Sequence, residues 1–355
     1  MPMANFPRTR HGRGRPALPP AWLSAMPLQQ WADIPGTANP GAGLAPDAYS
    51  DMTLRPSDSS LFIAAAGGHD NGNSNAVVRL ALSADAPAWE TLRASSWNGS
   101  EFNVTYYADG TPASRHTYHH THYIASQDCV LLAGCRFGWG GGTPSDGSMA
   151  LFDLATNQWR ARNTWPDITP DALSTAGMGC GQDGAGNIWT QNGYKFTVST
   201  TTWSKPGTGK LLRYPCAYDS ARDRIFALQY NDGEGSQSQG LQAIDLNPDT
   251  GNSQNITFNS SAAVTQFIAD NPAYAGMAFC PLDGKFYFMH MGRQGVFYVV
   301  TPNGTTVWDM AMWTPGGALP STTETICKRV LYVPALNGFV FQYKVTQPLK
   351  FLRMV

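Results

Sequence analysis

Four of the seven histidines of this chain fall between positions 116 and 122, directly after Arg115 and on either side of Tyr118. Imidazoles titrate near neutral pH and ligate metals, so such a run can move protons or hold a cation. His120 and His122 are two residues apart, which on a strand places both rings on one face about 7 Å from each other. They are the candidate pair for a divalent metal, with His69 as a third ligand; no other cofactor is expected. Arg115 can clamp an anionic group, while Trp97, Tyr106 and Tyr107 can stack on rings or sugar faces. The competing reading is structural: the imidazoles satisfy buried backbone groups.

Further ligand-type residues lie in turn-rich segments. The stretch 67–75 carries His69, Asp70 and Asn71 between glycines and asparagines, and the segment 94–116 adds Asp109. Arg136 and Trp139 sit in a glycine-flanked loop, Asp232 and Glu234 in an acidic one, and His290 is followed by Arg293. Neither Gly67-Gly68 nor Gly140-Gly141-Gly142 reads as a phosphate loop, because no Walker lysine or following helix appears. The six cysteines contain no Cys-x-x-Cys and read as small buried hydrophobes in a reduced protein.

The elements that must position these residues follow from the composition. Only 14% of the 355 residues are charged, 12% are aromatic, and glycine and proline number 36 and 25. Such a chain favours many short strands joined by tight turns over helical bundles or disorder. A hairpin of two apolar strands around an Asp, Asn or Gly turn begins at Met52, His122, Gly179, Cys216, Met277 and Val330. Most copies are followed by a second hairpin whose last strand carries a tryptophan: Trp89, Trp159, Trp203 and Trp308. Each repeat is therefore four strands, a to d. The sixth lacks its d strand at the C-terminus, and the segment around Trp31 supplies it, closing a ring and removing a sheet edge. The expectation is an all-β, six-bladed β-propeller of four-stranded blades, with a seventh blade as the alternative within 94–115 or 255–275.

Over about residues 28–355 the chain resembles the kelch-type propeller superfamily. Gly67-Gly68 with Trp89 matches its pattern in the first blade, and Phe152, Asp153, Thr156, Asn157 and Trp159 match in the second. The fourth and fifth blades lack Gly-Gly, and the fourth also lacks the tryptophan, so the resemblance is one of architecture. That superfamily includes binding scaffolds, a copper oxidase and sugar-active enzymes, so the resemblance does not fix a function. Propeller-type polysaccharide lyases are similar in architecture. Their chemistry implies an arginine to neutralise a uronate carboxylate, a base for the C5 proton and an acid for the leaving oxygen. Here His69, Arg115, His116 and Tyr118 are the candidates for those catalytic roles.

Strand direction alternates across a blade, so the b–c and d–a loops share one face and the a–b and c–d turns the other. The long, chemically rich segments all belong to the first face. Net charge is −1, which gives no global attraction to nucleic acid or an anionic membrane. Arg8, Arg10, Arg13 and Arg15 nonetheless precede the first acid, Asp33. Residues 1–27 read as a basic, flexible arm able to dock on a partner, and 28–355 as one propeller domain. No secretory signal is read, since the stretch from Pro16 to Leu23 is short and proline-broken, and no apolar run is long enough to span a bilayer. A virion-associated or cytoplasmic location fits. The expected function is non-catalytic recognition of a glycan or surface polymer, without sequence-specific nucleic-acid binding, as part of an assembly such as a phage virion. The alternative is a polysaccharide lyase or related carbohydrate-active enzyme.

Overall fold

The computed structural model describes residues 19–44, 50–66, 72–101, 104–134, 136–137, 147–168, 180–211, 215–231, 238–317, 319, 326–342, 344 and 346–355. Their secondary structure is mainly β: six four-stranded antiparallel sheets arranged as the blades of a propeller. The a strands are Thr53–Arg55, Thr121–Ile124, Cys180–Gln182, Cys216–Asp219, Gly276–Cys280 and Val330–Val333. They gather side by side around the axis.

Each a–b turn resolves the same geometric problem with a different residue. The position just before strand b, or one residue earlier, takes a positive φ: Ser59, Asp128, Gly186, Asp223, Gly284 and Asn337. Tight reversal between right-twisted strands requires that left-handed residue, and Gly, Asn and Asp reach it at least cost. The Asp/Asn/Gly punctuation of the repeats is thus a backbone requirement.

The tryptophans lie on the d strands and wedge between blades. Trp308 packs on Phe226 of the preceding blade at 4.9 Å and stacks on Phe286 of its own at 6.3 Å. Blade four has no tryptophan; Ile256, buried just after its d strand Ser253–Asn255, fills that position. Blade six takes Lys350–Arg353 as strand c and Trp31–Asp33 as strand d, with Trp31 opposite Leu352 and Asp33 opposite Lys350. The ring closes as the missing tryptophan strand indicates. Just ahead of it, the helical turn Ala21–Ser24 buries Trp22 and Leu23, and the Trp22 ring meets Phe351 edge-on at 5.2 Å.

Neither candidate segment for a seventh blade forms one. In 94–115 the described residues hold an isolated Tyr106–Pro112 bridge, and Arg115 begins a two-stranded pair with Arg136–Phe137. Within 255–275 lies the α-helix Ala262–Asp270, capped by Ser261 Oγ accepting from Val264 N. Thr257–Phe258 adds to the edge of blade five in parallel with Val307–Trp313. Among the described residues no helix is long and apolar enough to cross a membrane.

Candidate functional site

The histidine run leads into strand a of blade two and is buried there. Arg115 has no exposed surface and His116 only 7%. The Arg115 guanidinium donates to Ala113 O at 3.1 Å, Thr105 O at 3.0 Å and Ser148 Oγ at 3.3 Å. Its backbone N–H donates to Ala65 O, tying the d–a connection to blade one. The structure does bring His116 and Tyr118 together, with Nδ1 and the phenol oxygen 3.4 Å apart and the rings edge-on. Both are buried. His120 donates from Nδ1 to Ala133 O at 2.6 Å. His122 turns toward the axis, with Nε2 at 3.2 Å from Cys180 Sγ and Nδ1 at 3.3 Å from Lys328 Nζ. Burial pushes the pKa of His119 down to about 3, with His120 and Lys328 adding to the shift, and burial holds His122 well below its ordinary value. Both rings are neutral at physiological pH. Among the described residues no group of three or more His, Cys, Asp or Glu side chains is placed to hold a metal ion.

The expected ligand residues divide by exposure. Trp97 is exposed at 36% of its surface. Tyr106 lies under the Arg162 guanidinium, 4.7 Å from its ring centre. Tyr107 is buried, and its hydroxyl donates to Asn73 O while accepting from Ser114 N. Asp109 accepts from Thr111 N at 2.9 Å and Thr111 Oγ1 at 2.6 Å, closing a turn. Asn75 organises this segment: its Nδ2 shares its two hydrogens among Ser96 Oγ, Thr111 Oγ1 and Pro112 O, all within 3.0 Å, and its Oδ1 accepts from Ser96 N. Trp97 thus projects from an anchored loop. His69, Asp70, Asn71, Trp139, Asp232 and Glu234 lie outside the described residues, and of Arg136 only the backbone is described, opposite His116.

His290 and Arg293 meet on a residue that sequence reading did not single out. Asp270, last in the helix of the blade four to five connection, accepts from Arg293 Nε at 2.5 Å and Nη2 at 2.7 Å. It also accepts from Gln266 Nε2 and the Tyr298 hydroxyl, with His290 Nε2 at 3.3 Å. Burial alone raises a carboxyl pKa, yet the hydrogen bonds from Arg293, Tyr298 and Gln266 outweigh it and hold Asp270 well below the usual carboxylate range. His290 Nδ1 accepts from Gly292 N, so the proton sits on Nε2 and faces Asp270. Both ring nitrogens are therefore occupied. The cluster fastens the helix to the b–c loop of blade five.

A second feature escaped the sequence reading because its parts come from separate blades. A channel of about 450 Å³ runs along the axis, lined from every a strand or its approach and reaching the a–b turns. At its inner end stands Lys328, whose Nζ donates to Thr121 O at 2.5 Å. Tyr118, Cys327 and Tyr274 pack together beside it, all three with positive φ. Such strain in non-glycine residues costs about 1–3 kcal/mol each and persists only where the surroundings enforce it.

No family model matches the chain, and no curated protein matches it in sequence. Among solved structures, that of YjhT superposes with a TM-score of 0.50 at 11% identity, covering 86% of this chain and 94% of that one. The likeness is one of fold, and it agrees with the six-bladed propeller arrangement described above.

Proposed function

We propose that this chain is a non-catalytic recognition propeller. It binds a glycan or other surface polymer through the face of the b–c and d–a loops, within a larger assembly such as a virion on which the basic arm docks. The observation that carries this reading is the state of Arg115. A lyase needs a cation open to a uronate carboxylate, and the Arg115 guanidinium is fully buried with its donors on two backbone carbonyls and a serine. Extracting it would leave those acceptors without their donors, at a cost of about 1–3 kcal/mol each. His116 and Tyr118 lie under the same cover. What the loop face offers instead is an exposed indole, Trp97, on a well-anchored loop, with Tyr106 and Arg162 stacked further along the chain. Flat aromatic faces with scattered polar neighbours suit sugar rings.

The test is a panel of uronic-acid and neutral polymers, assayed both for retention of the protein on immobilised polymer and for ultraviolet absorbance of unsaturated uronate. Retention on at least one polymer with no rise in absorbance is expected. Polymer cleavage that is lost in Arg115→Lys or His116→Ala, with folding intact, overturns the reading in favour of a lyase.

A further inference from the structure

The axial channel presents a site on the opposite face, where the turns are short. We propose that it binds a small organic carboxylate with an apolar or aromatic body, entering at the a–b turns and placing its carboxylate on Lys328. The channel volume of about 450 Å³ lies within the roughly 300–1,000 Å³ of small-molecule sites. Lys328 is the one lysine, arginine or carboxylate side chain among the described lining residues. Burial lowers its pKa and the field of Asp51 works against that shift, so an anion bound at its ammonium would favour the charged form further. Its ammonium has three hydrogens. Two are directed at Thr121 O and His122 Nδ1, and the third has no partner among the described residues, which leaves it for an occupant of the channel.

The neighbours of Lys328 leave its charge unopposed at contact distance. With Nδ1 accepting from Lys328, His122 carries its proton on Nε2 and donates it to Cys180 Sγ. Burial keeps that imidazole neutral and raises the Cys216 thiol to about 12, so neither supplies a counter-charge. Asp51 accepts from Thr121 N and Oγ1; burial raises its carboxyl pKa against the field of Lys328, and the two groups interact through space without an ion pair among the described residues. A buried ammonium without a contact anion is costly, and a bound carboxylate offsets that cost through a charge-assisted hydrogen bond.

Outward from Lys328 the walls carry Leu54, Met277, Phe279 and Leu331 along the a strands, interspersed with Gln182, Tyr218, Ser220 and Tyr332. Pro56, Pro281 and Pro334 stand at the a–b end. An inorganic anion would leave those walls in contact with water, whereas a monoanion with a hydrocarbon body covers them. Tyr118, Cys327 and Tyr274 pack at the other end, and Tyr118 O accepts from Lys328 N, so the path in is from the a–b turns.

Calorimetric titration of the full chain with benzoate and with benzyl alcohol tests the site. Benzoate should bind at least about tenfold tighter, equivalent to about 1.4 kcal/mol, and Lys328→Met should abolish that difference. Equal affinity for the two probes, no binding of benzoate, or an unchanged preference in folded Lys328→Met overturns the proposal. If Lys328→Met does not fold, the wild-type protein decides the matter. Cys216 lines the channel, so its reaction with methyl methanethiosulfonate, followed by peptide mass spectrometry, should slow severalfold under saturating benzoate and not under benzyl alcohol. Identical rates under the two probes overturn the proposal.

Discussion

Replacing Trp31 by alanine strikes the strand that closes the ring. The indole is 5% exposed, lies 5.8 Å from the Phe297 ring of blade five and 6.0 Å from Phe341 of blade six, and donates to Gly295 O at 3.3 Å. Truncating a buried tryptophan to alanine costs about 3–5 kcal/mol. Trp31→Phe keeps an aromatic ring between the two phenylalanines and loses the indole hydrogen bond, worth about 1 kcal/mol. With a urea m-value of about 3 kcal/mol/M, a 4 kcal/mol loss lowers the unfolding midpoint by about 1.3 M, and the phenylalanine variant by about 0.3 M. Because Trp31–Asp33 is the outermost strand of blade six, the alanine variant should first open locally. Hydrogen exchange should accelerate in residues 28–36 and 350–353 before the other blades respond. A shift below 1 kcal/mol with protection retained at 350–353 would refute the reasoning, because the ring would then be held shut by something other than this strand.

Two further predictions concern pH. His119 titrates at about 3 in the folded protein and near 6.5 in an unfolded chain. The unfolded state therefore binds the extra proton, and stability falls as pH drops from about 6.5 toward 3, by up to about 1.4 kcal/mol per pH unit. Folded His119→Gln should lose one proton's worth of that slope in urea titrations between pH 7 and 5; an unchanged slope would mean the imidazole is accessible. Asp270 behaves as a carboxylate whose folded pKa is depressed, so its contribution is full above about pH 4 and fades on acidification. Asp270→Asn should be roughly 2–3 kcal/mol less stable at pH 7, and the gap should narrow below pH 4. A gap independent of pH would show that the Arg293 and Tyr298 contacts act without the charge.

The architecture was legible because each blade repeats a backbone requirement in residue types. Left-handed a–b turns demand Asp, Asn, Gly or Ser, d strands carry a wedge tryptophan, and the tryptophan absent from the last repeat reappears as Trp31. The candidate sites were less legible. Four histidines in seven residues announce chemistry, yet period-two spacing cannot tell an imidazole facing a ligand from one facing Ala133 O or Cys180 Sγ. Arg115 reads identically whether it clamps a substrate or three groups of its own fold. His290 and Arg293 were visible as a pair, but their shared partner Asp270 sits twenty residues away, in a helix whose signals are a Ser261 cap and an apolar run. Lys328 has no local signal at all, because its surroundings come from Asp51, His122, Cys180 and Cys216 on other blades.

Recognition through the loop face is tested most directly by the affinity of Trp97→Ala for the polymer that retains the wild-type protein. Trp97 is exposed, so the substitution should change stability by less than about 0.5 kcal/mol. Loss of an aromatic anchor at a binding surface typically costs about 2 kcal/mol or more, a fall in affinity of thirtyfold or so. The account predicts that fall with an unchanged unfolding midpoint. Wild-type affinity in Trp97→Ala, or polymer cleavage by a protein whose Arg115 remains buried, would contradict it.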